Sequence, residues 1–372
     1  MSPGEQAHGK QAYGKQAYGE QAHGTRGAGP VVQTVTGPVG RADLGLVLPH
    51  EHLFNDLSGV LDPPSYPFSA VLVDAPVAAP VAWALRQDPY CCADNIADKP
   101  VDAVVAEIEA FAALGGRTVV DATSSPAIGR NPQRLRALAE RTGLNIVMGC
   151  GAYLEKFEGE RITARAVDDQ AAAIAAELAH GVGDTGIRPG IIGEIGVSPD
   201  FTDAERASLR AAALAQLAHP AVALNIHLPG WQRRAHEVLD LVCTEIGVRP
   251  EKVSLAHMDP SSDDPGYQRS VAERGVYLEF DMVGMDITFP KEGASPDPSV
   301  TAGAVTRLVE QGHAGRLLLS HDVFLKQMWT QHGGNGFAYV PTVFREMLAA
   351  RGTAPAVLDA LVRDNPARLL TA

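Results

Sequence analysis

From Val31 onward the chain alternates short apolar runs with longer amphipathic stretches. The runs span 44–52, 117–124, 145–153, 190–196, 223–230, 252–259, 275–284 and 316–322. Each has strand length and is rich in Val, Ile and Leu, as strands buried on both faces are. The stretches between them carry helix signals. Val101, Val104, Val105, Ile108, Phe111 and Leu114 share one helical face, and Gly115 and Gly116 end it. Asn131 followed by Pro132 reads as a cap with proline at the first helical position, and Gly143 as the stop. Thr202 and Glu205 form a capping box ahead of Leu209, Leu214 and Leu217. Two last helices are expected over 341–350 and 356–362. Eight strands separated by helices predict an α/β chain folded as a (β/α)8 TIM barrel over residues 31–372. A doubly wound open sheet is the rival, but no G-x-G-x-x-G follows the first strand.

Two segments depart from this alternation. The first crossover, 53–116, is unusually long, and its prolines (Pro63, Pro64, Pro67, Pro76, Pro80) predict an excursion over one end of the barrel. Residues 1–30 carry GEQAH, GKQAY, GKQAY and GEQAH in succession. Such a Gly- and Gln-rich repeat cannot bury enough surface to offset ordering, so a low-complexity disordered tail is expected.

Barrel enzymes gather their chemistry where strands end, at the C-terminal face. The first strand ends in His50-Glu51-His52, and residues two apart in a strand share a face. His50 and His52 should therefore point together into the barrel mouth, with Leu46 and Leu48, of the same parity, filling the barrel below. The fourth strand ends at Glu194, the fifth at His227, the sixth at His257 and the eighth at Asp322, whose parity Leu318 and Ser320 share. Any one of these has a plainer reading, as a hydrogen-bonded histidine, a helix cap or an ion-pair carboxylate. Their concurrence on five separate strands favours a metal site instead. Neutral imidazoles and carboxylates suit zinc and related divalent ions. Six ligands exceed the needs of one tetrahedral ion and fit two ions about 3.5 Å apart sharing a carboxylate and an acidified water. His180, His219, His236 and His313 fall in or beside helical segments, and His321 has the parity of the helix layer. His332 lies in the loop after the eighth strand.

Composition narrows the function classes. Of the 372 residues, 31 are basic and 44 acidic, a net charge of −13 that disfavours nucleic-acid binding. The most apolar stretch, 71–85, is broken by Asp74, Pro76 and Pro80, so no membrane span is expected. The first residues lack the apolar core of a secretory signal. Cys91, Cys92, Cys150 and Cys243 show no C-x-x-C spacing and read as reduced structural thiols. A soluble cytoplasmic protein is expected.

VQTVTGPVGRADLGLVLPHEHLFND resembles the opening of the phosphotriesterase family within the amidohydrolase superfamily. GIRPGIIGEIGVS, LNIHLPG, VSLAHMD and LLLSHDVFLKQMWTQHGGNGFAYV resemble later segments of it. APVAAPVAWALRQDPYCCADNIAD and the C-terminal DNPARLL are similar to its phosphotriesterase-related branch. The resemblance runs over 31–370 and implies a barrel with a binuclear centre, usually zinc, which manganese or cobalt can replace. It implies that His50, His52 and Asp322 bind the more buried ion and His227 and His257 the more exposed one. Many members bridge the ions with a carboxylated lysine directly after the G-I-I run. Here Gly193 holds that place and Glu194 follows, as in the branch that bridges with glutamate. That departure points away from true organophosphate hydrolases.

The activity so implied is a metal-dependent hydrolase in which hydroxide shared by the metals attacks a carbonyl and Asp322 accepts the proton. A lactone or other carboxylic ester is the expected substrate, with weak phosphotriesterase side activity. An amide hydrolase of small N-acyl amines is the second reading, and a non-catalytic metal- or ligand-binding barrel the third. A one-metal deaminase is disfavoured because Leu228, Pro229 and Gly230 follow His227 with no acid among them. Tyr153, Trp231, Lys326 and Trp329 are the expected substrate contacts, Lys326 serving an anionic group. The expected partner is a small molecule rather than nucleic acid or membrane, in a chain that relatives suggest forms a homodimer.

Overall fold

The computed structural model describes residues 29–371, so the expectation for the repeated tail lies outside the described residues. Eight parallel strands form the barrel: β1 (Leu46–Glu51), β2 (Gly116–Asp121), β3 (Asn145–Cys150), β4 (Ile191–Gly196), β5 (Ala223–His227), β6 (Val253–Leu255), β7 (Tyr277–Phe280) and β8 (Leu317–Leu319). They pair in sequence order, every pair parallel. The seam between β8 and β1 is held at its upper end. The His50 amide donates to Ser320 Oγ at 3.2 Å, and the Asp322 amide donates to the His50 carbonyl at 3.3 Å.

The helix signals take effect as expected. Val101–Ala113 is a helix, and Asn131 Oδ1 caps Pro132–Thr142 by accepting from the Arg134 amide at 3.1 Å. Gly143 ends that helix in the left-handed region at φ 70°, which glycine adopts without a Cβ penalty. Thr202 and Glu205 complete a reciprocal capping box on Asp203–Ala218. The excursion after β1 is a string of short turns around its own small core of Leu72, Val77, Ala84, Leu85, Cys91 and Cys92. All four cysteines are free, and three are buried. No helix among the described residues is long and apolar enough to cross a membrane.

The barrel floor is filled by Val47, Val120, Val147, Ile191, Ala223, Tyr277 and Leu318, one side chain from each of seven strands. Leu369 and Leu370 of the last helix seal it from below. Leu318 is where its parity with Asp322 places it. Leu46 and Leu48 are not. Both belong to the outer core between strands and helices. The register of β1 against β2 shifts between Leu48 and Glu51, around Pro49, which has no N–H to give the ladder. The shift inverts the phase of the strand, so His50 enters the barrel although Leu48 faces out.

Candidate metal centre

Glu194, at the end of β4, occupies the middle of the barrel mouth. Its Oε1 lies 3.2 Å from His52 Nε2. Its Oε2 lies 3.0 Å from His227 Nδ1, 3.5 Å from His257 Nε2 and 3.6 Å from His50 Nε2. Asp322 Oδ1 stands 3.2 Å from His52 Nε2 and 3.9 Å from His50 Nε2. The structure thus brings all six sequence-predicted side chains into one cluster. His257 and Asp322 sit in the left-handed region, at φ 61° and 54°, where the chain turns sharply out of its strand. Non-glycine residues hold such a conformation only when their surroundings enforce it. Gly193 precedes Glu194 at φ 127°, and a Cβ there would meet the Asn225 carbonyl oxygen at 2.4 Å. A lysine cannot occupy that position in this backbone, which leaves Glu194 as the central carboxylate.

The nitrogens facing away from the cluster are anchored. His50 Nδ1 meets Glu279 Oε2 at 3.1 Å, His52 Nδ1 meets Thr123 Oγ1 at 2.9 Å, and His257 Nδ1 meets Asp281 Oδ1 at 2.9 Å. Such partners fix ring orientation and tautomer so that the other nitrogen offers a lone pair. The inward nitrogens face carboxylates and one another instead, with the Tyr153 hydroxyl 3.3 Å from His227 Nδ1 as a further neighbour. His50 Nε2 is completely buried without a hydrogen-bond partner, and His227 Nδ1 and His257 Nε2 face each other at 2.8 Å. Buried polar atoms left in this way require a cation or protons. The electrostatics agree. Burial opposes charge on His50, but Glu194, Asp281, Glu279 and Asp322 outweigh it and pull its pKa up to about 10. Burial is likewise outweighed at His52, which Asp322 and Glu194 raise to about 9. Glu194 is itself held well below the usual carboxylate range: its burial is overcome by His227 and His50. A concentration of carboxylates and imidazoles that demands positive charge fits divalent ions, and the triads His50, His52, Asp322 and His50, Glu194, His257 each place their ligand atoms within 4.8 Å of one another.

Glu51, between the two histidines, points the other way. Its Oε1 accepts from Ser320 Oγ at 2.8 Å, the His321 amide at 3.1 Å and His321 Nδ1 at 2.7 Å, while Oε2 accepts from the Val323 amide at 2.8 Å. This single buried carboxylate grips both neighbours of Asp322. His321 faces the helix layer as its parity requires, its Nε2 accepting from the Val340 amide at 2.8 Å. The parity of Glu51, opposite to that of His50 and His52, is the one signal in the sequence that sets it apart from its flanking ligands.

A solvent-open cleft lies over the cluster. Tyr153 and Trp231 line it, and the Tyr153 hydroxyl lies 3.3 Å from His227 Nδ1. Lys326 and Trp329 do not line it. Lys326 Nζ is paired with Asp94 of the excursion at 2.7 Å, and Trp329 is buried, stacked with His332 at 6.4 Å. The walls are instead completed by Tyr90 from the excursion, Met282 and Phe289 after β7, and Phe324 after β8. Lys156, in the short helix Glu155–Glu158 after β3, stands on the same cleft.

Comparison with known proteins places this geometry. The model of the phosphotriesterase family matches residues 30–370. The N-acetyltaurine hydrolase of Rattus norvegicus is 33% identical over 346 residues, covering 91% of this chain and 97% of that protein. A crystal structure of a resiniferatoxin-binding protein from Rhodobacter sphaeroides superposes with a TM-score of 0.89 at 43% identity, covering 92% of this chain and 95% of that one. A mutant PTE-like lactonase from Deinococcus radiodurans superposes with a TM-score of 0.70 at 28% identity, covering 91% and 99%.

Proposed function

The chain belongs to the phosphotriesterase family and is a metal-dependent hydrolase, and from that premise we propose that its centre holds two divalent ions, zinc first, and cleaves a carbonyl substrate. The observation that carries this reading is the set of inward nitrogens and carboxylate oxygens around Glu194, with the buried His50 Nε2 left without a partner. His50, His52 and Asp322 would hold one ion, His227 and His257 the other, and Glu194 both. Two ions so held supply a Lewis acid for the carbonyl oxygen and an acidified water as nucleophile.

The chain's own residues do the rest. Asp322 stands at the cluster edge on the cleft side, 3.2 Å from His52 Nε2, placed to accept a proton at its carboxylate and return it to the leaving group. Glu51 fixes the backbone on either side of it. Tyr153 holds a hydroxyl 3.3 Å from His227 Nδ1 inside the cleft, where it would meet a substrate oxygen. Tyr90, Phe289 and Phe324 give the cleft apolar walls. A lactone or other carboxylic ester fits this chemistry. The second reading, an amide of a small N-acyl amine, is favoured by the curated relatives, which share about a third of their residues with this chain over nearly their whole length. The test is a screen of metal-loaded protein against γ- and δ-lactones and N-acetyl amines. Turnover of either class, abolished by chelation and restored by zinc, supports the reading, and no turnover of any member overturns it.

A further inference from the structure

Lys99 lies outside the metal cluster, yet it is one of the largest fully buried side chains in the protein. Its ammonium has three N–H bonds, and three oxygens receive them. Nζ donates to the Asn55 carbonyl at 3.1 Å, to Asn55 Oδ1 at 2.5 Å and to the Phe324 carbonyl at 2.7 Å. The two partners belong to different loops at the barrel seam. Asn55 follows His52 beyond β1, Phe324 follows Asp322 beyond β8, and both line the cleft. Lys99 itself belongs to the excursion, where its backbone is held from outside. Arg134 donates to the Lys99 carbonyl, and its Nη1 meets both oxygens of Asp98 at 2.6 and 2.7 Å. Two further bonds dock the excursion on the same two loops. The Leu57 amide donates to the Ile96 carbonyl at 3.0 Å, and the Gln327 amide to Asn95 Oδ1 at 2.9 Å. The rings so placed lie beside the ligands: the Phe324 ring centre is 6.3 Å from that of His52 and 6.3 Å from that of Tyr90.

We propose that Lys99 is a positioning residue, its ammonium being the joint through which the excursion locks the loop after β1 to the loop after β8 and so fixes the Tyr90–Phe324 wall of the cleft. The consequence for hydrolysis rests on the reading above, while the joint itself does not. None of the three oxygens is anionic, so a group that is costly to bury stands where an apolar side chain would pack. What the ammonium alone supplies is three donors diverging from one point, as joining two loops requires. Its charge is correspondingly easy to remove. Burial and Lys326 pull its pKa down to about 7, against the opposing effect of Asp98 in the excursion, Asp56 after β1 and Asp121 at the end of β2. Each of these neighbours has its own partner: Lys326 has Asp94, Asp98 has Arg134, and Asp56 and Asp121 accept from the Ser58 and Leu53 amides. Below pH 7 the ammonium makes all three bonds. Above it the neutral amine has two N–H bonds and a lone pair, so one oxygen loses its donor and the joint loosens.

The experiment reads the joint by hydrogen exchange on zinc-loaded full-length protein, and its effect on the cleft by steady-state kinetics with a γ-lactone, on both sides of pH 7. The reporters are the Leu57 and Gln327 amides, with the β4 amides as control, all corrected for intrinsic exchange. In wild type, reporter protection should fall about fivefold as pH rises through 7 while β4 is unchanged, as loss of one hydrogen bond allows. Lys99→Met should lower it about tenfold at every pH and abolish the break. Asn55→Asp sets a carboxylate against the same ammonium and should move the break up by about 1–3 pH units. Lys99→Met should also raise KM about tenfold with kcat within about twofold of wild type, because a displaced wall weakens ground and transition states alike. Reporter protection that is unchanged in Lys99→Met, or lost equally in β4, overturns the inference. So does a fall in kcat with KM unchanged, or a break that Asn55→Asp leaves in place. If Lys99→Met does not fold, Asn55→Asp alone decides. The expected exchange pattern without turnover of any lactone or N-acetyl amine would leave the joint standing and refute the proposed carbonyl substrate. Turnover of the lactone with neither readout dependent on Lys99 would do the reverse.

Discussion

Replacing Glu51 with glutamine tests whether the barrel seam positions the proton acceptor. Oε1 of Glu51 receives three donors and Oε2 one, all at 2.7–3.1 Å, and the residue is fully buried. Glutamine has the same shape but one accepting oxygen. Its lowest-cost orientation keeps that oxygen on the three donors and turns the NH2 toward the Val323 amide, leaving a buried donor unpaired at about 1–3 kcal/mol. The three remaining hydrogen bonds lose the carboxylate charge, and bonds to charged groups are worth roughly 1 kcal/mol more than neutral ones. Relief from burying a charge offsets part of this. A net loss of roughly 2–4 kcal/mol is expected, a large part of a total stability of about 5–15 kcal/mol. The assay is urea unfolding of metal-free wild type and Glu51→Gln, followed by circular dichroism. Because both neighbours of Asp322 are held by this carboxylate, zinc affinity from chelator competition should fall about 10–100-fold as well. A variant within about 0.5 kcal/mol of wild type, with unchanged zinc affinity, would refute the claim that Glu51 holds the seam and Asp322 together.

Three further outcomes are expected. Lys99 is completely buried, donates to Asn55 and Phe324, and is pulled down to about 7 by burial and by Lys326. The folded chain therefore binds fewer protons than the unfolded chain between pH 7 and the ordinary lysine value of 10.5, so this group's contribution to stability rises with pH across that window and falls away toward pH 7. Lys99→Met should flatten the pH dependence of unfolding there by up to about 1.4 kcal/mol per unit, and an unchanged slope would show that the group titrates normally. Asp322→Asn should cut turnover by about 10²–10⁴-fold with the far-ultraviolet spectrum intact, and near-wild-type rates would remove its role as proton acceptor. Because Glu194 is the central carboxylate, zinc reconstitution should restore equal activity with and without bicarbonate. A strong bicarbonate requirement would point to a carboxylated lysine elsewhere.

The barrel and its central cluster were legible because both follow from local rules. Apolar runs of strand length announce buried parallel strands, and ligand-type residues at the ends of five of them converge wherever those strands close. What was not legible depends on partners distant in the chain. The phase of β1 changes at Pro49 because the register against β2 slips there, so Leu46 and Leu48 face out although simple alternation sends them in. Lys326 has the right charge in the right loop, yet Asp94, in an excursion with no periodic pattern, neutralises it. Trp329 likewise packs into the core, leaving the cleft to Tyr90, Phe289 and Phe324. Lys156 borders the cleft from a four-residue helix whose sequence, EKFE, looks like any solvated turn.

Two metal ions held by the six side chains around Glu194 are what the proposed reaction requires. Elemental mass spectrometry on protein purified without chelator tests this most directly, with His52→Ala in parallel. About two transition-metal ions per chain are expected in wild type, and their loss in the variant. No metal in wild type even after reconstitution with zinc or manganese, or a His52→Ala protein that keeps both ions, would contradict it.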